Sequence, residues 1–410
     1  MKTSYRLLAA ACGAAVLALQ ASAAPLDLDT ARTLALRRAP QLSALDSASQ
    51  AQEQDAIAAG QWPDPQLRFG EEKLPIATLR ANDQTMDVIG IEQRVPGGRK
   101  TELAAQSGRL GAEKMRRDGE LMRLTLSRDA AQAWLDAVYP RAQLKLLARQ
   151  LGELDRRAGA QRLALAAGRA GLVDSELVAR TRLLLEDRIA ATRADQVRAD
   201  AQAERWFGTV DLPDSLPHQA PPPSLLALES RLARHPAIQT RDVGIAIAAK
   251  AAELAREAKK PDWDVELSYG RARTPGMPNT LTALVSFNLP ILSVRRQDRQ
   301  YQARTLDAAA AEAEREAAWR ELRAGLLAAY ADWKSLDSRL ALLEPGLNAR
   351  SARLVDTRLA AYASGAGALA QVQEARENAI DDAMKLLEMR YQRERARLAL
   401  DYFDPAGNDR

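Results

Sequence analysis

The sequence predicts a mainly α chain with a small β part, in which long coiled-coil helical hairpins accompany four strands. Three observations predict it. Aromatic residues are 4% of the chain against 47% hydrophobic and 27% charged, the balance of long Ala-, Leu-, Glu- and Arg-rich helices. Apolar residues in the second half recur with the coiled-coil period of 3.5. Short runs in both halves alternate with a period of two, as half-buried strands do. Two His and one Cys in 410 residues all but exclude a multi-ligand zinc site, a disulfide framework and most His-based catalysis. The net charge of +4 is too mild and too spread to imply nucleic acid.

The first element is a leader. Lys2 and Arg6 precede the 13-residue apolar stretch Leu7 to Leu19, and Ala21-Ser22-Ala23 is an A-x-A cleavage site. Residues 1–23 therefore read as a secretory signal peptide cleaved after Ala23. As a membrane anchor the stretch falls short of ~30 Å of hydrocarbon. A second reading makes Cys12 a lipid-attachment site after Ala9-Ala10-Ala11, on a shorter apolar stretch. Cleavage removes Lys2 and Arg6 and lowers the net charge from +4 to +2. No later stretch has 18 consecutive apolar residues, so a closed β-barrel is the remaining way into a membrane.

The rest is a repeat at a shift of 196 residues, the kind of period that must be found before any fold is assigned. Leu36-Arg37-Arg38-Ala39-Pro40 faces Leu232-Ala233-Arg234-His235-Pro236, Ala133-Trp134 faces Ala329-Tyr330, and Gly171 faces Gly367. Asp64 to Gly70 matches Asp264 to Gly270 at a shift of 200, a loop-length difference. The expected organisation is a first repeat over 24–211, a Pro-rich linker over 212–223, a second repeat over 224–404 and a tail over 405–410.

Each repeat opens with an amphipathic helix, about 28–61 and 224–259. Two strands follow. Leu67 and Phe69 flank Arg68, and the run 85–95 places Ile89, Ile91 and Val95 on one face. Val265, Leu267 and Tyr269 alternate with Glu266, Ser268 and Gly270, and Leu281, Ala283, Val285 and Phe287 alternate with Thr282, Leu284 and Ser286. Either these strands form a small sheet on a soluble core, or they span a membrane. Four strands cannot close a membrane barrel, whose single-chain minimum is ~8, so spanning requires several chains to share one. The long helices come next, about 98–167 and 294–362, each on the order of 100 Å at ~1.5 Å per residue. Leu322, Leu326, Ala329, Trp333, Leu336, Leu340, Leu343 and Leu347 form an a/d seam. Its first-half equivalents are Leu126, Ala130, Ala133, Ala137, Pro140, Leu144, Leu147 and Leu151. Pro140 and Pro345 are expected to kink or interrupt their helices. A Gly-containing break and a return helix end each repeat.

Leader, duplication, paired hairpins and paired coiled coils together resemble the TolC outer-membrane efflux channel family. Leu28 to Pro40 resembles its opening L-x-x-A-x-x-x-A-x-x-x-x-P helix, and Val95-Pro96-Gly97-Gly98-Arg99-Lys100 its strand-to-helix exit. Ala167-Gly168-Arg169-Ala170-Gly171 through Asp174 and Ala179 resembles the turn between its long helices, and Ser364-Gly365-Ala366-Gly367 through Val372 and Ala375 the second copy. The short hairpin loops and the Gly-Arg-Ala-Gly turn look most like the branch serving heavy-metal exporters of the cobalt–zinc–cadmium and copper type. The resemblance implies a homotrimer with a 12-stranded outer-membrane β-barrel and an α-helical periplasmic tunnel. It implies a passive duct for substrates, heavy-metal cations in that branch, delivered by a periplasmic adaptor and an inner-membrane pump of the resistance-nodulation-division type. Leu67, Phe69, Val265, Leu267, Tyr269, Val285 and Phe287 would then face outer-membrane lipid. The turns at Gly168, Gly171, Gly365 and Gly367 would form the periplasmic tip where the adaptor docks. Where family members carry gating aspartates this chain has Gln371 and Glu374. A three-fold carboxylate ring favours cations, and Asp174 and Glu176 could add to it or serve as helix N-terminal acids. The same fold serves drug efflux and type I protein secretion, and a periplasmic coiled-coil scaffold or adaptor is the reading from another class.

The remaining conspicuous residues have plainer roles. Trp62 and Trp263, placed before strands, suit either an aromatic girdle or burial at a junction. His218 and His235 read as surface or turn residues. The scattered Met residues form no soft-metal cluster, so no metal site and no cofactor are expected. Arg295 to Arg299 and Arg393 to Arg397 read as solvated helix faces, not nucleic-acid contacts. No G-x-S-x-G, H-E-x-x-H or phosphate-loop spacing is present, which leaves no catalytic residue to name.

Overall fold

A computed structural model describes residues 25–76, 81–82, 84–166 and 171–405. The leader, including Cys12, and Gly168 lie outside the described residues. The elements run α1 (Leu28–Arg38), α2 (Pro40–Ala59), β1 (Gln66–Glu72), β2 (Met86–Val95), α3 (Lys100–Ala166), α4 (Leu172–Phe207), α5 (Leu225–Arg231), a 3-10 turn (Leu232–Arg234), α6 (Pro236–Glu257), β3 (Trp263–Ala272), β4 (Thr280–Phe287), α7 (Gln297–Leu343), α8 (Leu347–Ala363) and α9 (Leu369–Asp401).

Each opening helix is divided, not continuous. A residue before proline is pushed out of the helical region, and Ala39 and His235 are both extended, with ψ of 104° and 134°. Pro40 and Pro236 then start new helices, where a missing N–H costs nothing. Asp27 caps α1 by accepting from Thr30 N at 2.8 Å and Thr30 Oγ1 at 2.9 Å. These bonds, the backbone N–H first, hold the Asp27 carboxyl below its ordinary range. His235 is not a surface residue. It is fully buried, and its Nδ1 caps α6 by accepting from Ala237 N at 3.2 Å.

The strands pair antiparallel in sequence order, β1-β2-β3-β4. The central β2–β3 pairing joins strands of the two sequence repeats, with Val95 opposite Trp263 and Met86 opposite Ala272. Trp263 opens β3 instead of preceding it.

Pro140 does not interrupt α3, which runs unbroken from Lys100 to Ala166. Its ring is buried, and the missing N–H leaves only the Asp136 carbonyl without its helical partner. Arg141 braces the same turn, donating to Ala137 O at 2.8 Å and to Asp200 of α4 at 2.5 Å. Pro345, followed by Gly346, does end a helix: α7 stops at Leu343 and α8 starts at Leu347.

The chain forms two compact units. One draws on Met1–Arg38, Thr125–Pro223 and Ala328–Tyr402. Its core packs Trp134, Leu135 and Val138 with Phe207 and Leu398, and small Ala130, Ala131 and Ala137 let helices approach closely. Trp134 Nε1 donates to Leu26 O at 2.8 Å. A second cluster joins Leu147 and Leu154 to Val178, Leu185, Ile189 and Met384. The linker lies on α9, with Glu394 accepting from Gln219 N and Arg397 donating to Ala220 O.

The run around Arg393 is not all solvated. Arg393 and Glu394 are 6% and 2% exposed. They pair with each other at 2.5 Å, and Arg393 also holds Asp337 at 2.8 Å. Arg295 and Arg296 precede α7 in a turn.

The other unit draws on Ala39–Leu124, Ser224–Leu327 and Phe403–Arg410. It holds the sheet and α2 packed on α3, where a Cβ at Gly108 would stand 2.6 Å from that of Ala56.

Candidate functional site

Two places carry the expected functional residues, one in each unit. The first is the sheet. Its register stacks apolar residues in straight rows across all four strands: Phe69, Ile89, Tyr269 and Leu281, then Leu67, Ile91, Leu267 and Ala283. Val265 and Val285 form the next row with Gln93, and Val95, Trp263 and Phe287 the last. Trp263 and Phe287 lie with ring centroids 4.9 Å apart. This face is not a core. Apart from the partly buried Val95, its large side chains stay open, from 42% at Trp263 to 82% at Phe69. At the hairpin-loop end the same face carries Glu71, Asp87 and Arg271, and Arg273 bridges Glu71 and Asp87.

The opposite face is mostly polar or small, with Met86, Val88 and Leu284 as its larger apolar members. Arg68 pairs with Glu266 at 2.9 Å and Glu92 at 3.5 Å, and Arg94 with Asp264 at 2.9 Å. Gly90 and Ser268 lie in the row of Arg68, and Gly270 in the next. Period two thus gives every strand a mainly apolar and a mainly polar side over its middle. Strands β1 and β4 are the two edges, each paired on one side only, and every residue of both is exposed. Trp62, 58% exposed, lies before β1.

The sheet is fixed to its helices through the Gly97-Gly98 exit. Gly97 N donates to Asp262 Oδ1 at 2.8 Å, and Lys100 Nζ donates to the same oxygen at 2.6 Å. A Cβ on Gly97 would fall 1.8 Å from Pro261 O. Gly98 takes φ of +68°, a region open to glycine at little cost.

The second place is the turn between α8 and α9. Gly365 has φ of +75°, and Ala366 N reaches back to Ala361 O at 2.9 Å, a glycine-terminated helix end. At Gly367 a Cβ would press to 3.3 Å from that of Ala361. Gln371 and Glu374 follow on the exposed side of α9, three residues apart and so neighbours on its surface. Gln371 accepts from Arg358 of α8 at 3.2 Å. Glu374 has no hydrogen-bond or ion-pair partner among the described residues.

Gly171 precedes α4 and is exposed, and Glu176 is exposed in the first turns of α4. Asp174 lies in the same turn, with its side chain outside the described set. Between α4 and α9 the contacts fall elsewhere. Thr181 Oγ1 donates to Glu377 at 3.2 Å and Arg188 holds Asp381 at 2.7 Å. Thr181 and Glu377 are 196 residues apart, the shift read between the two halves of the sequence. Sequence reasoning missed both acids, because an acid on a helix carries no mark of its partner on another.

No helix among the described residues is long and apolar enough to cross a membrane, which says nothing of a barrel. No group of three His, Cys, Asp or Glu able to hold a metal ion occurs among them.

Residues 227–402 match the model of the outer membrane efflux protein family. That stretch is an outer membrane efflux protein domain. No curated protein matches the sequence. Solved structures match far beyond the efflux protein domain. CusC, described as forming a transmembrane channel, superposes with a TM-score of 0.76 at 15% identity, over 91% of this chain and 90% of its own. The outer membrane protein VceC of Vibrio cholerae gives 0.73 at 15%, over 93% and 96%. The MtrE outer membrane channel of Neisseria gonorrhoeae, in its open state, gives 0.71 at 16%, over 93% and 88%. The fold on both sides of the efflux protein domain is therefore that of outer-membrane channels.

Proposed function

We propose that the chain is one third of an outer-membrane channel, the passive exit duct of a tripartite efflux system. One observation carries this reading: a four-stranded sheet with an exposed apolar face, a mostly polar reverse and two unpaired edges. An open sheet edge is not tolerated in hydrocarbon, and four strands are too few to close on themselves. Three copies, β4 of each pairing with β1 of the next, close a 12-stranded barrel. The rows from Phe69 to Phe287 then meet lipid and the Arg68, Glu92 and Glu266 side faces water.

On this reading the leader is removed after Ala23 and the two repeats, 24–211 and 224–404, supply matching walls to the barrel and to a helical periplasmic tunnel. The turns at Gly168–Gly171 and Gly365–Gly367 dock a periplasmic adaptor, which links the channel to an inner-membrane pump of the resistance-nodulation-division type. Gln371 and Glu374, with Asp174 and Glu176 of the equivalent first turn, form the constriction, and the duct needs no catalytic group. The likeness of the Gly-Arg-Ala-Gly turn to the heavy-metal branch is what favours heavy-metal cations as cargo.

The test is to separate inner from outer membranes, extract the protein in mild detergent and measure its mass corrected for bound detergent. A trimer in the outer-membrane fraction supports the shared barrel. A soluble periplasmic monomer overturns it in favour of a helical scaffold. Sensitivity of a deletion strain to zinc or copper salts, against sensitivity to drugs, decides the cargo.

A further inference from the structure

Within the first unit, α3, α4, α8 and α9 wall a cleft of about 360 Å³. Its lining brings apolar Leu154, Leu185, Val355 and Ile380 together with charged Glu153, Asp356 and Arg376. Gln373 forms part of the α9 wall and is only 4% exposed. Both ends of its amide, Nε2 and Oε1, lack a hydrogen-bond partner among the described residues. Buried amides are nearly always paired, because leaving one unpaired forfeits its hydration for nothing. The neighbouring hydroxyls are engaged elsewhere. Ser351 donates to Asp382 at 2.6 Å, and Thr181 is within reach of Leu177 O and Glu377.

We propose that this cleft binds a small molecule with a cis-amide head, such as a lactam, on an apolar body. The Gln373 side chain presents one donor and one acceptor side by side. A cis-amide presents the complementary pair and closes a ring of two hydrogen bonds. The apolar body covers Leu154, Leu185, Val355 and Ile380, and the volume is that of a small-molecule site. Gln373 lies between Gln371 and Glu374 in sequence but on the buried side of α9, so the site is separate from the exposed pair. Because all four helices line it, an occupant ties α3 and α4 to α8 and α9. The proposal stands whether or not the chain forms a channel.

The experiment titrates purified full-length protein with ε-caprolactam and with N-methylcaprolactam, which lacks the donor, by ligand-observed NMR. Saturable caprolactam binding is expected, weakened at least about tenfold by the N-methyl group and by Gln373→Leu. Val355→Trp, which fills the apolar part of the cleft and leaves the amide in place, is expected to abolish binding while the helical circular dichroism is retained. Absence of saturable binding, or equal binding by wild type and Gln373→Leu, would overturn the proposal and leave an amide bridged by water only. Full affinity in Val355→Trp would overturn it independently.

Discussion

Gly97 has no room for a methyl group. Pro261 O occupies the place of its Cβ, and its N–H is committed to Asp262. Gly97→Ala must move one strand exit against the other, at about 3 kcal/mol. Thermal unfolding measures it, and a variant as stable as wild type contradicts the geometry. Arg393 and Glu394 make a second residue-scale case. Removing one partner of a buried pair leaves an uncompensated charge, a loss of about 3–5 kcal/mol. Arg393→Leu should lose stability on that scale, and Arg393→Leu with Glu394→Leu should recover most of it in denaturant titrations. Equal losses in both would mean that packing and not charge holds this place. Glu374 is different, since no described residue engages it. If three copies ring a pore, Glu374→Ala should lower cation over anion permeability in planar bilayers. Unchanged selectivity would remove Glu374 from the constriction.

At the scale of elements, the sheet makes the clearest demand. Leu267 sits in the middle of the apolar face, opposite Ile91 and Ala283. Leu267→Arg should cost about 2–4 kcal/mol if that face meets the middle of a bilayer. Arg68→Gln, on the reverse, should cost little. Yield of assembled oligomer in membranes compares them, and equal tolerance of both would argue for a sheet in water. The strands were legible in sequence because alternation is a local property, so Leu67, Phe69, Val265, Leu267, Tyr269, Val285 and Phe287 all fall on one face. The turn at Gly365 was legible for the same reason. Pro140 was misread because the packing that keeps α3 whole comes from distant segments. Arg393 and Glu394 looked solvated because Asp337 stands 56 residues away. Gln373 carried no signal, since a glutamine on a polar-rich helix reads as surface until its face is known.

At the scale of the molecule, neither compact unit is made from one half of the chain. Ala31 and Ala35 share a core with Leu398, and Arg32 is bonded to Asp401, 369 positions away. The sheet likewise waits for β3 before β2 has both neighbours. A chain stopped after Pro223 should therefore show helix by circular dichroism without a cooperative melting transition. A sharp transition in that fragment would mean that the first repeat folds by itself. Contacts of such sequence separation slow folding, because loop closure must come before any reward. The consequence falls on biogenesis. Synthesis from the N-terminus at about 5–20 residues per second leaves the first segments waiting tens of seconds for their partners. Throughout that interval the strand pattern of residues 66–95 is an open edge that any other chain can join. A protein built this way gains from anything that shields residues 66–95 until its last helix has arrived.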